Sequence, residues 1–106
     1  MKIYFIDKFG KYLNIKKKLE DLSFENIEHK ENIKHRINKS DIVISFDFDG
    51  QYEEYKKVNN LIIVTETINK NDIWNIANKL NTKDIILYKK ENEEYIANRI
   101  KNTILN

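Results

Sequence analysis

Several residues able to do chemistry stand at the ends of apolar runs in this sequence. Asp7 closes the run KIYFI. Asp47 and Asp49 close the stretch Ser40 to Asp49, SDIVISFDFD, whose apolar centre is Ile42-Val43-Ile44. Thr65 closes NLIIVT and is followed by Glu66, and Lys89 follows DIILY. Carboxylates gathered at one rim suit a hard cation such as Mg²⁺, which takes oxygen ligands and keeps several waters. Asp7, Asp47 and Asp49 are therefore the candidate metal ligands. A lysine at the same rim would neutralise a phosphoryl group and a threonine hydroxyl would hydrogen-bond it, which are the roles open to Lys89 and Thr65. The same residues have a plainer use, because loops begin where strands end and the next helix needs a cap. Asp49 with Gly50 reads first as a turn. His29 and His35 are six apart around a weak strand and a helix start, which is poor spacing for metal ligands.

These positions share a rim only if the apolar runs are parallel strands. The pattern supports that. Lys2 to Ile6 is apolar nearly throughout, as a strand covered on both faces should be. Lys11 to Leu22 carries Tyr12, Ile15, Leu19 and Leu22 at helical spacing. Ser23 to Glu28 reads as a weaker, edge-like second strand, and Glu31 to Lys39 as a short helix with Ile33 and Ile37 on one face. The third strand follows from Ser40. Gln51 to Asn59 is a short helix or irregular turn, Asn60 to Thr65 the fourth strand. A helix capped by Asn71 or Asp72 runs to Leu80 with Ile73, Ile76, Ala77 and Leu80 on one stripe. Asp84 to Tyr88 is the fifth strand, and Asn92 to Leu105 the last helix. Alternating strands and helices with connections of this length imply parallel strands and right-handed crossovers. The expected architecture is a three-layer α/β sandwich with a five-stranded parallel sheet in flavodoxin-like order 2-1-3-4-5. In such a sheet, ligands bind at the carboxyl ends of strands 1 and 3, where the strand order reverses.

Composition narrows the function classes. The 106 residues fit one domain, spanning 1–106, of a size that buries a core without staples. There is no cysteine, hence no disulfide or thiol chemistry, which fits a reducing compartment. The net charge of +2, from 19 basic and 17 acidic residues, describes a mixed surface and no nucleic-acid footprint. Lys16-Lys17-Lys18 reads as a solvated helix face. Apolar runs of about four residues fall far short of the ~20 of a membrane helix. Charged residues Asp7, Lys8 and Lys11 interrupt the opening run, so no secretory signal is visible. The expectation is a cytoplasmic protein.

The set Asp7, Asp47, Thr65 and Lys89 at four strand ends resembles the receiver domain of two-component response regulators, across the whole chain. The resemblance implies a phosphoacceptor aspartate at the end of strand 3, here Asp47, with Thr65 and Lys89 contacting the phosphoryl group. The departures are specific. Lys8 stands where the second acid of the strand-1 pair would be. Counting from Asp41 puts Phe46 at the acceptor position and Asp47 one residue beyond. Tyr88 aligns with the strand-5 lysine, Lys89 follows it, and no proline comes next. A one-residue slip on a strand turns a side chain to the opposite face, and a lysine in place of an acid repels Mg²⁺. The sequence thus resembles a degenerate receiver. The endings LIIVTE and DIILYKKENEEYIANRI are similar to the atypical receivers at the amino end of MinD/ParA-like pilus-assembly ATPases, although no P-loop is present.

Three functions compete. A pseudo-receiver docking module, not phosphorylated and not an enzyme, needs no cofactor. It would meet a protein partner, a further domain of its own chain or a second copy, with Trp74, Tyr88 and Tyr95 as aromatic anchors. A working phosphoacceptor would use Asp47, shifted into place by a bulge, with Mg²⁺ on the acidic rim. An enzyme similar to nucleoside 2-deoxyribosyltransferases, suggested by KIYF and INKSDIVISFDFDG, would draw its carboxylate from Glu53 or Glu54.

Overall fold

Residues 1–66 and 69–106 are described in a computed structural model of the chain. The strands are β1 (Ile3–Ile6), β2 (Ile27–Lys30), β3 (Ile42–Phe46), β4 (Asn60–Thr65) and β5 (Thr82–Leu87). The helices are α1 (Leu13–Asp21), α2 (Tyr52–Tyr55), α3 (Lys70–Lys79) and α4 (Glu93–Leu105), with a 3₁₀ turn at Lys90–Asn92. The five strands form one parallel sheet in the order β2-β1-β3-β4-β5, the order expected.

The sheet is covered on both faces, which is why the central strands read as unbroken apolar runs. Every residue of β1 and of β3 is buried. One face packs Ile3, Phe5, Ile42, Ile44, Phe46, Ile62, Val64 and Ile86 against Tyr12, Ile15 and Leu19 from the α1 side and Ile96, Ala97 and Ile100 of α4. The other packs Tyr4, Ile6, Val43, Leu61 and Ile63 against Ile33, Tyr55, Val58, Ile76 and Leu80. Asp41, itself buried, ties the start of β3 to its surroundings by accepting from the backbone N–H groups of Lys2 and Asn38. At the β5 edge, Arg99 forks onto Asp84 at 2.7 and 2.8 Å and reaches the Ile85 carbonyl, so α4 shields part of the open strand.

The expected helix at Glu31 to Lys39 is not formed. Ile33 is buried and Ile37 packs against the same cluster, but on an irregular segment. The Asn32 side-chain Oδ1 accepts from the Lys34 N–H and Asp41 Oδ2 from the Asn38 N–H, so short polar side chains take backbone donors that a helix would use. The second strand also lies later than its pattern implies. Ser23 and Asn26 adopt left-handed φ of 73° and 62°, so the SFEN stretch is a turn and pairing starts at Ile27. The segment after β3 forms one helical turn. The fifth strand starts at Thr82, earlier than expected, and stops before Tyr88.

The irregular segment makes the fold pH-sensitive. The His35 ring lies 4.5 Å from that of Tyr4, and its buried Nε2 has no hydrogen-bond partner among the described residues. Burial, then Lys30 and Lys57, push its pKa below the ordinary 6.5, with Glu28 opposing and Lys2 assisting. The fold therefore holds His35 neutral, while the unfolded chain takes up the proton first as pH falls. The contribution is intact above the unfolded pKa and is lost as pH drops below about 6.5 towards the lower folded value. Thermal midpoints are expected to fall between pH 7.5 and 5.5, and less so in His35→Phe. A His35→Phe profile as steep as the parent's would assign the loss to other groups.

Candidate functional site

The carboxyl ends of β1, β3 and β4 meet as the topology requires, but their side chains are differently employed. Asp7 is fully buried. Its Oδ1 accepts from the Lys11 N–H at 3.1 Å and its Oδ2 from the Tyr12 N–H at 2.9 Å. It thereby fixes the loop through Gly10, whose φ of 66° suits a residue without Cβ, and sets the entry to α1. Nε2 of His29 lies 3.0 Å from the Asp7 carbonyl.

Tyr12, held by Asp7, is 2% exposed and reaches across to the end of β3. Its ring stacks on Phe46 at 4.5 Å and meets Tyr88 edge-on at 4.9 Å. Its hydroxyl donates to Asp47 Oδ1 at 2.8 Å and lies 3.4 Å from Glu66 Oε1. Burial, followed by the Asp47 hydrogen bond, holds the Tyr12 hydroxyl far above its ordinary pKa, so it stays a donor. The Tyr88 hydroxyl donates to Glu93 at 3.0 Å. Burial and that bond push it up to about 12.

The Asp47 carboxylate reaches Tyr12 because of the conformation of its backbone. Phe46 ends β3 on the α1/α4 face, so extended backbone would send the next side chain to the opposite face. Asp47 instead has φ 55°, a left-handed conformation that Asp tolerates better than most residues. The β3–β4 register is continuous from Ile42 to Phe46, so no bulge within β3 turns Asp47.

Of the other candidates, Asp49, Thr65 and Glu54 line the open rim cavity with Asp47, whereas Lys89, Trp74, Tyr95 and Glu53 do not. Asp49 is exposed, and its N–H donates to Gln51 Oε1, the local turn that Asp-Gly suggests. Thr65 is half-buried at the end of β4, and its carbonyl accepts from the Tyr88 N–H at 2.7 Å. Lys89 is exposed and begins the 3₁₀ turn, its carbonyl accepting from the Asn92 N–H. Trp74 and Tyr95 are exposed, whereas Tyr88 belongs to the aromatic cluster. Glu53 is exposed and pairs with Lys56 at 2.7 Å. Glu54 lines the open rim cavity beside Asp47, Asp49 and Glu66.

As the side chains stand, Asp7, Asp47 and Asp49 are not gathered into a Mg²⁺ ligand set. Among the described residues no three carboxylate or imidazole groups converge as ligands. Both Asp7 oxygens already accept backbone N–H groups, and Asp47 already accepts the Tyr12 hydroxyl. Lys8 adjoins them in sequence.

Helical spacing correctly assigns Tyr12 to the core. That its hydroxyl would bridge to Asp47, 35 residues away, has no signal in periodicity. Tyr12→Phe keeps the ring and removes the bridge. It is expected to lower stability by about 1 kcal/mol in urea unfolding, with a native near-ultraviolet spectrum. No loss at all would mean that water replaces the bridge fully.

No family description matches the sequence, and no curated protein is significantly similar to it. Among solved structures, the chain is similar to a response regulator receiver domain from Rhodospirillum rubrum, with a TM-score of 0.72 and 14% identity, over 99% of this chain and 92% of that one. At that identity the likeness shows the fold, which is receiver-like. Among the described residues no helix is long and apolar enough to cross a membrane.

Proposed function

We propose that this chain is a pseudo-receiver: a docking module of receiver-like fold that is not phosphorylated and meets its partner through protein surface. The observation that carries this reading is the packing of Tyr12, Phe46 and Tyr88 into one aromatic cluster. Phe46 and Tyr88 are the residues that align with the receiver's acceptor aspartate and strand-5 lysine. Phosphoryl transfer to a carboxylate needs an accessible nucleophile, a metal to hold the phosphoryl oxygens and a cation to meet developing charge. Here the aligned positions are apolar or aromatic, and Asp47 is engaged by a hydroxyl.

The docking face we favour borders the β5 edge. Trp74 on α3 is 67% exposed, Leu87 on β5 41% and Tyr95 on α4 58%, and both helices contact β5. Exposed aromatic residues of this kind serve as anchors because they bury large area at little entropic cost. The partner is a protein, a further domain of the same chain or a second copy. A cytoplasmic setting agrees with the absence of cysteine.

Adding beryllofluoride with Mg²⁺ while recording backbone amide spectra tests the first half. The expected result is no saturable shift at Asp7, Asp47 or Thr65. Saturable shifts there would make Asp47 a phosphoacceptor and overturn the reading. For the second half, Trp74→Ala with Tyr95→Ala is expected to weaken self-association or partner capture without lowering the unfolding midpoint appreciably. Unchanged capture would exclude this face.

A further inference from the structure

A second cavity lies on the opposite face of the sheet from the aromatic cluster, and neither the receiver-like fold nor the docking face accounts for it. Its volume is about 280 Å³. Its apolar walls are Phe48, Tyr52, Ile63, Ile76 and Ile85. It exists because α2 is a single turn of four residues, too short to cover the neighbouring stripe of α3. Ile76 is buried, but Ile73, one turn earlier, remains 38% exposed at the cavity.

Two carboxylates, Asp49 and Asp72, stand at this cavity, and among the described residues no cationic side chain lines it. Among the described residues, neither carboxylate takes part in a hydrogen bond or an ion pair: Asp49 and Asp72 engage their neighbours only through backbone N–H groups. On the outer side, the Lys79 ammonium lies 4.9 Å from the Tyr52 ring centroid, so this aromatic wall already attracts a cation. An apolar pocket with a few directed polar groups is the usual form of a small-molecule site, and this one lies just below the ~300–1,000 Å³ range.

We infer that this cavity binds an organic cation carried on a short apolar stem, one ring or one aliphatic chain in size. The stem enters between Tyr52 and Ile76, and the ammonium or guanidinium meets Asp49 and Asp72. An anionic ligand of the same shape is repelled, since both charged groups of the lining are carboxylates. The chemistry is shared by a free arylalkylamine and by a basic side chain of a peptide. The inference does not depend on the docking reading, because the lining includes neither Trp74 nor Tyr95.

The test is titration of the whole chain with phenethylammonium, capped arginine (Nα-acetyl-arginine methylamide) and phenylacetate, followed by backbone amide spectra. The expected result is saturable shifts confined to Gly50, Ile73, Asn75 and Ile76 with one or both cations, and none with phenylacetate. Preference for phenethylammonium identifies a free amine, and preference for capped arginine a peptide side chain. The double variant Asp49→Asn with Asp72→Asn is expected to weaken cation binding about fivefold to tenfold, as two partly exposed ion pairs should. Asn75→Trp, which puts a ring at the cavity from an exposed helix position, should block it. Equal shifts with phenylacetate, no saturable shift with any probe, or unchanged affinity in the double variant would overturn the inference.

Discussion

Placing an acid at the aligned acceptor position, by Phe46→Asp, is expected to unfold the domain and not to give it a phosphorylation site. Phe46 is 4% exposed, with the rings of Phe5 and Tyr12 each 4.5 Å away. Removing a buried aromatic side chain costs about 3–5 kcal/mol. A carboxylate in the same apolar surroundings adds several kcal/mol more, or stays protonated. A domain of this size has roughly 5–15 kcal/mol in total, so most of the stability is consumed. Circular dichroism and urea unfolding read this directly. Phe46→Leu serves as the control and should remain folded, since it leaves an apolar side chain in place. The core role given to Phe46 fails if Phe46→Asp stays folded and is labelled by acetyl phosphate with Mg²⁺.

The second large effect is expected at Asp7. Asp7→Ala strands the N–H groups of Lys11 and Tyr12, which its fully buried carboxylate satisfies at 3.1 and 2.9 Å. Hydrogen bonds to a charged group contribute about 1.5–3 kcal/mol each, and the two share one loop, so a loss of about 3–4 kcal/mol is expected. Asp7→Asn keeps one acceptor oxygen and should lose less. Because the same N–H bond helps seat Tyr12, the variant should also disturb the near-ultraviolet signal of the Tyr12–Phe46–Tyr88 cluster. The alternative, a solvent-facing metal ligand, makes opposite predictions: alanine would be nearly neutral without metal, and Mg²⁺ would raise the melting midpoint of the parent protein. Either of those results would return Asp7 to the list of metal ligands.

Much of the architecture was legible because it is written in short-range patterns. KIYFI, DIVISF and NLIIVT are apolar on successive residues, which only a doubly covered strand satisfies, and β1, β3 and β4 lie at the centre of the sheet. The order β2-β1-β3-β4-β5 is the commonest one for five parallel strands alternating with helices. The segment from Glu31 to Lys39 was not legible in the same way. Ile33 and Ile37, four apart, imitate a helical face, yet Asn32 and Asp41 divert the backbone donors. Ser23 and Asn26 similarly hide a left-handed turn inside what alternation presents as a strand.

The candidate site divides along the same line. By itself the sequence determined which residue types stand at the strand ends, which is a fact of identity and spacing along one chain. That Phe46 and Tyr88 fall where a receiver has an acid and a lysine, and Lys8 where it has a second acid, is what the resemblance implies. Only the tertiary structure decided what those residues do. Asp7 turned inward to cap its own loop, Asp47 took a left-handed φ, and Tyr12 crossed from the start of α1 to join Phe46, Tyr88 and the Asp47 carboxylate. Periodicity reports the face on which a side chain lies. It carries no record of where a hydroxyl ends after the sheet has closed, and here that endpoint is the Asp47 carboxylate at the rim.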